Sequence, residues 1–395
     1  MFKRLLVVFV TLLGLSMPAR AIDQAHREHA RQMIATAVRF LRAHQDEATG
    51  GWAVRPEGPQ FPAITALVVT GMLLDPDIDA SDPSVARGLE FILSFAKDNG
   101  GIYDRILPSY NTSICLSALA LAHTEAAKSR IGAAQDFLRG LQYGQAAIED
   151  PELGDIVQRV GPEHPFYGGV GYGSHGRPDL SNLSMMLQGL HDSGVPGSDP
   201  AFQRALKFLE RCQMHARVND MPYADGSTQG GFIYSTSKDK DHVGSGESKA
   251  GLTEETMDDG THVSRLRAYG SMTYAGFKSY LYADLTPDDQ RVRLAYDWIR
   301  HNYTLQENPG VGAQGLYYYL ITLARAMHAL GSQTIQIPGD DGSTRPHDWA
   351  NDLIDRLGEL QNDDGSFQSV AKRWMEDKAV LITAYSLIAL QNATQ

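Results

Sequence analysis

Three carboxylic acids stand where they could handle a proton: Asp179, Glu376 and Asp377, each just before an apolar, helix-forming run. A carboxyl group held dry among hydrogen-bond donors can be tuned into a general acid. The same position also suits a helix cap, in which the carboxylate accepts from exposed N–H groups. Both roles stay open for all three. Asp258-Asp259 with His262 forms a carboxylate–histidine cluster or a solvated acidic turn. Cys212 and His215 are the close cysteine–histidine pair. They lack the further ligands of a zinc site, and no metal or cofactor is expected. Arg265 and Arg267 could hold a phosphate or carboxylate. Tyr269, Tyr274, Phe277, Tyr280 and Tyr282 recur along one run, and Tyr317, Tyr318 and Tyr319 open another. Aromatic side chains can line a cavity for a hydrophobic chain, stabilise a cation through their faces, or fill a core. Phenol hydroxyls need polar partners, which suits a cavity wall.

The elements that must position these groups are helices of two alternating kinds. Ala30, Met33, Ile34, Ala37, Val38 and Leu41 recur at helical spacing on one face, with arginines elsewhere. The next run, 63–74, is apolar or small on every side and must be buried all round. The alternation repeats. Amphipathic 85–95, 131–141, 202–212, 292–302 and 349–360 precede apolar 113–122, 183–190, 271–283, 315–330 and 379–390. Six buried helices within six half-buried ones predict a closed double ring. An open solenoid would keep one wet face on its inner helices. Closure also lets one core serve 395 residues, so a single domain over 22–395 is expected.

The inner-helix N-termini point N–H groups at one mouth of such a barrel. Candidate ligand-binding residues therefore sit just before or within the first turns: Tyr110, Asn111, Ser181, Asn182, Arg265, Arg267, Tyr269, Tyr274, Tyr317 and Tyr318.

A short signature links the pairs. Gln45 precedes Gly50-Gly51-Trp52, Ala96 precedes Gly100-Gly101-Ile102, and Gln142 precedes Gly168-Gly169-Val170. Gln213 precedes Gly230-Gly231-Phe232, Tyr303 precedes Gly310, and Gln361 precedes Gly365-Ser366-Phe367. Glycine permits the turn, and glutamine can satisfy backbone groups at a helix end. These are structural staples. In type, order and number they resemble the glutamine–tryptophan repeats of the squalene-cyclase and prenyltransferase superfamily. That resemblance implies an all-α (α/α)6 toroid with a largely apolar central cavity, entered where the inner helices begin. It also implies two tests of chemistry. Terpene cyclases of the superfamily protonate an alkene with the middle aspartate of Asp-x-Asp-Asp, whereas the matching stretch here reads Asp179-Leu180-Ser181-Asn182. Protein prenyltransferases bind zinc through Asp, Cys and His, and Cys212 has no Asp-x-Cys companion.

The longest intervals between signature positions follow Gln142 and Gln213. Long insertions often carry function. Residues 236–259 are polar without an apolar period, and a mobile insertion or substrate lid is expected there. At the N-terminus, Lys3 and Arg4 precede apolar 5–15 and then Ala19-Arg20-Ala21, the pattern of a secretory signal cleaved after Ala21. The expected location is therefore exported, periplasmic or secreted. A net charge of -12 argues against a nucleic-acid partner. The leading expectation is an isoprenoid or other lipid-like ligand, either simply bound or isomerised in a terpene-cyclase-like reaction. Two other classes fit an exported toroid. One is a polysaccharide lyase or hydrolase, which requires two carboxylates in an open groove. The other is a protein-interaction scaffold, which requires a filled barrel.

Overall fold

The computed structural model describes residues 22–55, 58–144, 148–150, 154–157, 159–173, 177–257, 259–339 and 341–395. The expected signal segment 1–21 and Asp258 lie outside the described residues.

Twelve helices form among the described residues, and they alternate as the apolar patterns require. The outer, amphipathic set is α1 Gln24–Ala43, α3 Pro83–Leu93, α5 Glu125–Gly140, α7 Pro200–Cys212, α9 Gln290–His301 and α11 Trp349–Leu360. The inner set is α2 Pro62–Leu73, α4 Pro108–Ala122, α6 Leu180–Asp192, α8 Gly270–Tyr282, α10 Leu316–Leu330 and α12 Ala379–Thr394. Inner helices are buried on every side; in α12, 380–393 are buried without a break. Each inner helix packs on the next, and α12 packs back on α2. The outer ring closes where α1 meets α11. The result is the expected (α/α)6 toroid.

Five of the six outer helices start with aspartate caps, and α5 starts with Thr124. Asp82, Asp199 and Asp289 accept from first-turn N–H groups of α3, α7 and α9. A proline at the first position of α3 and α7 costs no intrahelical hydrogen bond.

The signature glutamines do more than finish their own helices. Gln45 Nε2 donates to Gly50 O and to Ser84 O, in the first turn of α3 (both 2.8 Å). Gln142 does the same to Gly168 O and Ala201 O of α7 (both 2.9 Å). Gln213 reaches Gly230 O and Arg291 O of α9, at 2.9 and 3.0 Å. Gln361 reaches Gly365 O and Met33 O of α1, which joins the last repeat to the first. The glycines after them sit against the same neighbours. A Cβ on Gly168, whose φ is +79°, would lie 2.0 Å from Arg204 O. A second staple runs inward. The N–H groups of Trp52, Ile102, Phe232 and Phe367 donate to Thr65, Thr112, Thr273 and Thr383 in the inner helix that follows.

Three antiparallel hairpins decorate the rings: β1 Ile148–Asp150 with β2 Gly154–Val157, β3 Leu252–Thr256 with β4 His262–Leu266, and β5 Thr334–Pro338 with β6 Thr344–Asp348. The second hairpin begins inside 236–259, the stretch expected to form a mobile insertion. Its polarity hides an alternation, exposed and half-buried in turn. Glu255 anchors it by accepting from Ser227 Oγ, Thr228 N and Gln229 Nε2. Ser235, Thr236 and Ser237 are buried as well.

Candidate functional site

A cavity of about 260 Å³ opens at the end where the inner helices begin. Every inner helix contributes to it from its first two turns. Ile64 and Leu67 come from α2, Tyr110 and Ile114 from α4, Ser181 from α6, Met272 from α8, Tyr318 from α10, and Leu381 and Tyr385 from α12. The rim comes from the connecting segments: Phe61, Leu107, Tyr172, Tyr234, Tyr269, Trp374 and Met375. The chain turns sharply at this rim. Trp374 and Met375 both lie in the left-handed region (φ 58° and 65°), a conformation costing on the order of 1–3 kcal/mol per residue. The Trp374 ring seats on Gly315, where a Cβ would fall 2.8 Å from it.

The wall is apolar carbon with phenols set into it. Ser181 Oγ and the Tyr318 hydroxyl lie 3.1 Å apart, and the Tyr172 and Tyr234 hydroxyls 3.3 Å apart. Burial pushes the phenols of Tyr110, Tyr234, Tyr269 and Tyr318 well above the ordinary value. They are neutral across the physiological range. No aspartate, glutamate, lysine, arginine or histidine lines this cavity among the described residues.

Two of the three candidate acids, Asp179 and Glu376, sit behind the wall with structural tasks. Asp179 is fully buried and caps α6. Its Oδ1 accepts from Asn182 N and its Oδ2 from Asn182 Nδ2, both at 2.9 Å. Burial raises its carboxyl above the ordinary value, against those hydrogen bonds. Glu376, also fully buried, caps a neighbour rather than its own helix. Its Oε1 accepts from Tyr318 N at 2.8 Å, at the start of α10. Burial pushes its pKa up to about 7, opposed by the N–H groups of Tyr318, Tyr317 and Leu316. Asp377 points outward and pairs with Lys378, which holds it below the usual range.

The ten ligand-binding candidates divide. Tyr110, Asn111, Ser181, Tyr269 and Tyr318 come together on the cavity. Asn111 also caps across helices, accepting from Ala63 N of α2. The other five are elsewhere. Asn182 is spent on Asp179. Tyr274 packs edge-on to Tyr319, because two residues beyond Met272 is the far side of α8. Tyr317 donates to Gln368 O outside the wall. Arg265 lies in β4 with Glu255 4.0 Å away, and Arg267 is exposed beyond it. Cys115 and Cys212 are free and buried, and no group of three metal-ligating side chains occurs among the described residues.

The cavity residues outside the ten candidates include the aromatics Phe61, Tyr172, Tyr234, Trp374 and Tyr385. Two of them carry a signal. Tyr172 and Tyr234 each follow the last signature residue, Val170 or Phe232, by two positions. In extended chain that spacing keeps one face, so the pattern that buries the signature residue also directs the tyrosine along the same side.

No family model matches the sequence, and no curated protein matches it. Solved structures do match. A variant of the type II terpene cyclase MstE from Scytonema, in complex with geranylgeranyl dihydroxybenzoate as substrate, aligns at a TM-score of 0.53 and 13% identity. The alignment covers 94% of this chain and 99% of that one. The same cyclase without ligand aligns at 0.51 and 13% identity, over 93% and 98% of the two chains. A glycosidase aligns at 0.49 and 12% identity, over 94% and 99%. The chain thus shares its α/α toroid fold with this type II terpene cyclase. Among the described residues, no helix is long and apolar enough to cross a membrane.

Proposed function

We propose that this chain binds an isoprenoid or other lipid-like molecule in the cavity, without initiating its cyclisation by proton transfer. The observation that carries this reading is the composition of the wall: aliphatic and aromatic carbon, phenols, small hydroxyls and one amide, with no acid or base among the described residues. Protonating an alkene needs a strong carboxylic acid facing the bound chain. At the position the resemblance assigns to that acid stands Ser181, hydrogen-bonded to a phenol. Asp179 is committed to capping and Glu376 to the N–H of Tyr318. The similarity in fold to a cyclase with a long isoprenoid substrate supports the ligand class.

Size is consistent with this reading. A dry cavity of about 150 Å³ accommodates benzene. A space of about 260 Å³, open at one end, suits a chain of roughly ten to fifteen carbons that projects from the mouth. The glycan reading needs paired carboxylates on the site, and the scaffold reading a filled barrel; neither draws support from this wall.

The test is titration of the protein with a fluorescent C15 isoprenoid, followed by extraction and product analysis. Saturable binding with unchanged ligand is expected. Leu67→Trp and Met272→Trp, which fill the cavity, should each weaken binding by at least about tenfold while melting stays cooperative. Cyclised or isomerised product, or binding indifferent to both tryptophans, contradicts the reading.

A further inference from the structure

The cavity ends at a rim whose two aromatic residues are backed by cations. Arg177 and Lys249 lie over the Tyr234 ring, at 5.1 and 4.7 Å from its centroid. Arg373 lies over the Trp374 ring at 4.4 Å. Tyr234 and Trp374 both line the cavity, so three cations gather just outside an apolar hole. Their partners do not balance them. Glu247 is shared, taking Arg177 on one oxygen and Lys249 on the other. Arg373 donates to a neutral acceptor, Gln314 Oε1, at 2.7 Å. The ammonium of Lys249 is held below its ordinary value chiefly by burial, then by Arg177 and Arg373, with buried Asp179 opposing. Three cations thus face two nearby carboxylates, Glu247 and Asp179.

A neutral lipid gives no reason to hold such a surplus beside an apolar entrance. We propose that the ligand is amphipathic, with an anionic head, a carboxylate or a phosphate, held by Lys249, Arg373 and Arg177 at the mouth while its apolar chain lies on Ile64, Leu67 and Met272. This rests on the apolar-cavity reading and adds the chemistry of the exposed end. The head-group site lies between the insertion after Gln213, which carries Lys249, and the turn before α12, which carries Arg373. It replaces the sequence expectation that placed this role on Arg265 and Arg267. Guanidinium groups suit both candidate heads because they can donate two parallel hydrogen bonds.

The experiment compares three ligands of one chain length by calorimetry on the full chain: farnesol, farnesoate and farnesyl monophosphate. Farnesoate or the monophosphate should bind at least about tenfold tighter than farnesol, and added salt should erode the difference. The tighter of the two identifies the head. Lys249→Ala/Arg373→Ala should remove the advantage and leave farnesol affinity within about twofold. Both side chains are at or near the surface, and a melting curve verifies folding of the variant. Equal binding of all three ligands overturns the anionic head and leaves the apolar cavity standing. An advantage that survives the double variant overturns the assignment to these residues. No binding of any of the three overturns the apolar cavity itself.

Discussion

Glu376 is the residue whose chemistry and structural role conflict most. It is sealed from solvent, accepts from Tyr318 N through Oε1, and has no hydrogen-bond partner for Oε2 among the described residues. Its folded pKa of about 7 lies above the ordinary 4.5, so the folded state holds the proton more tightly than the unfolded chain. Between those values stability falls as pH rises, and the loss is complete above about 7. Glu376→Gln keeps an oxygen acceptor for Tyr318 without the charge. Relative to that variant, the wild type should lose on the order of 2–3 kcal/mol between pH 4.5 and 7.5. Urea denaturation across the range measures it, and parallel curves for the two proteins would contradict the assignment. The sequence placed Glu376 at an inner-helix start but could not say which helix. Capping across neighbours, as Glu376 does for α10 and Asn111 for α2, depends on ring closure. No spacing along the chain encodes it.

The repeat signature explains how helices are held as a ring. The sequence made the glutamine and its glycines visible, and periodicity located all twelve helices, although α1, α4 and α5 start five or six residues before the apolar pattern does. The partner carbonyls were not legible, because Ser84, Ala201, Arg291 and Met33 are recognised through backbone and carry no residue-type signal. The threonines of the second staple were present in the sequence but blend into apolar helices as small residues. Removing a staple strands two buried carbonyls. Gln142→Ala should therefore destabilise by about 1–3 kcal/mol, measured by denaturant unfolding. The second repeat offers the reverse experiment. Ala96 forms the same isolated bridge, to Ile102, that Gln213 forms to Phe232 and Gln361 to Phe367. Gly100 likewise sits against α5, where a Cβ would lie 2.3 Å from Ala133 O. A glutamine at 96 would thus find a turn and a helix already positioned. Ala96→Gln is expected to stabilise by about 1 kcal/mol, and destabilisation would show that the second joint is packed differently.

At the scale of the whole molecule, the barrel is asymmetric along its axis. Its mouth is apolar and open, whereas its far end is closed by buried polar side chains. Lys278 Nζ donates to Gln188 Oε1 at 2.6 Å, Tyr282 shares that oxygen, and Gln188 passes a hydrogen bond to Asp192. Burial, and then Arg325, lowers the pKa of Lys278 to about 7. The unfolded lysine holds its proton to about 10.5, so this group makes stability rise with pH between about 7 and 10.5. Lys278→Met removes the buried charge. It should melt above the wild type at pH 6, with the gap narrowing toward pH 10; a gap independent of pH would contradict a charged Lys278 in the plug. With the far end filled by this polar cluster, the ligand's route in this account is the rim of Tyr234 and Trp374.

The central claim is that this route leads to a lipid-like occupant. The most direct measurement is a native mass spectrum of the protein purified from its own source, with the released small molecules identified after solvent extraction. A stoichiometric mass increment from an apolar chain, absent in Leu67→Trp, is the predicted result. A bare mass for the wild type, which stays bare after incubation with isoprenoid alcohols and acids, would contradict the account.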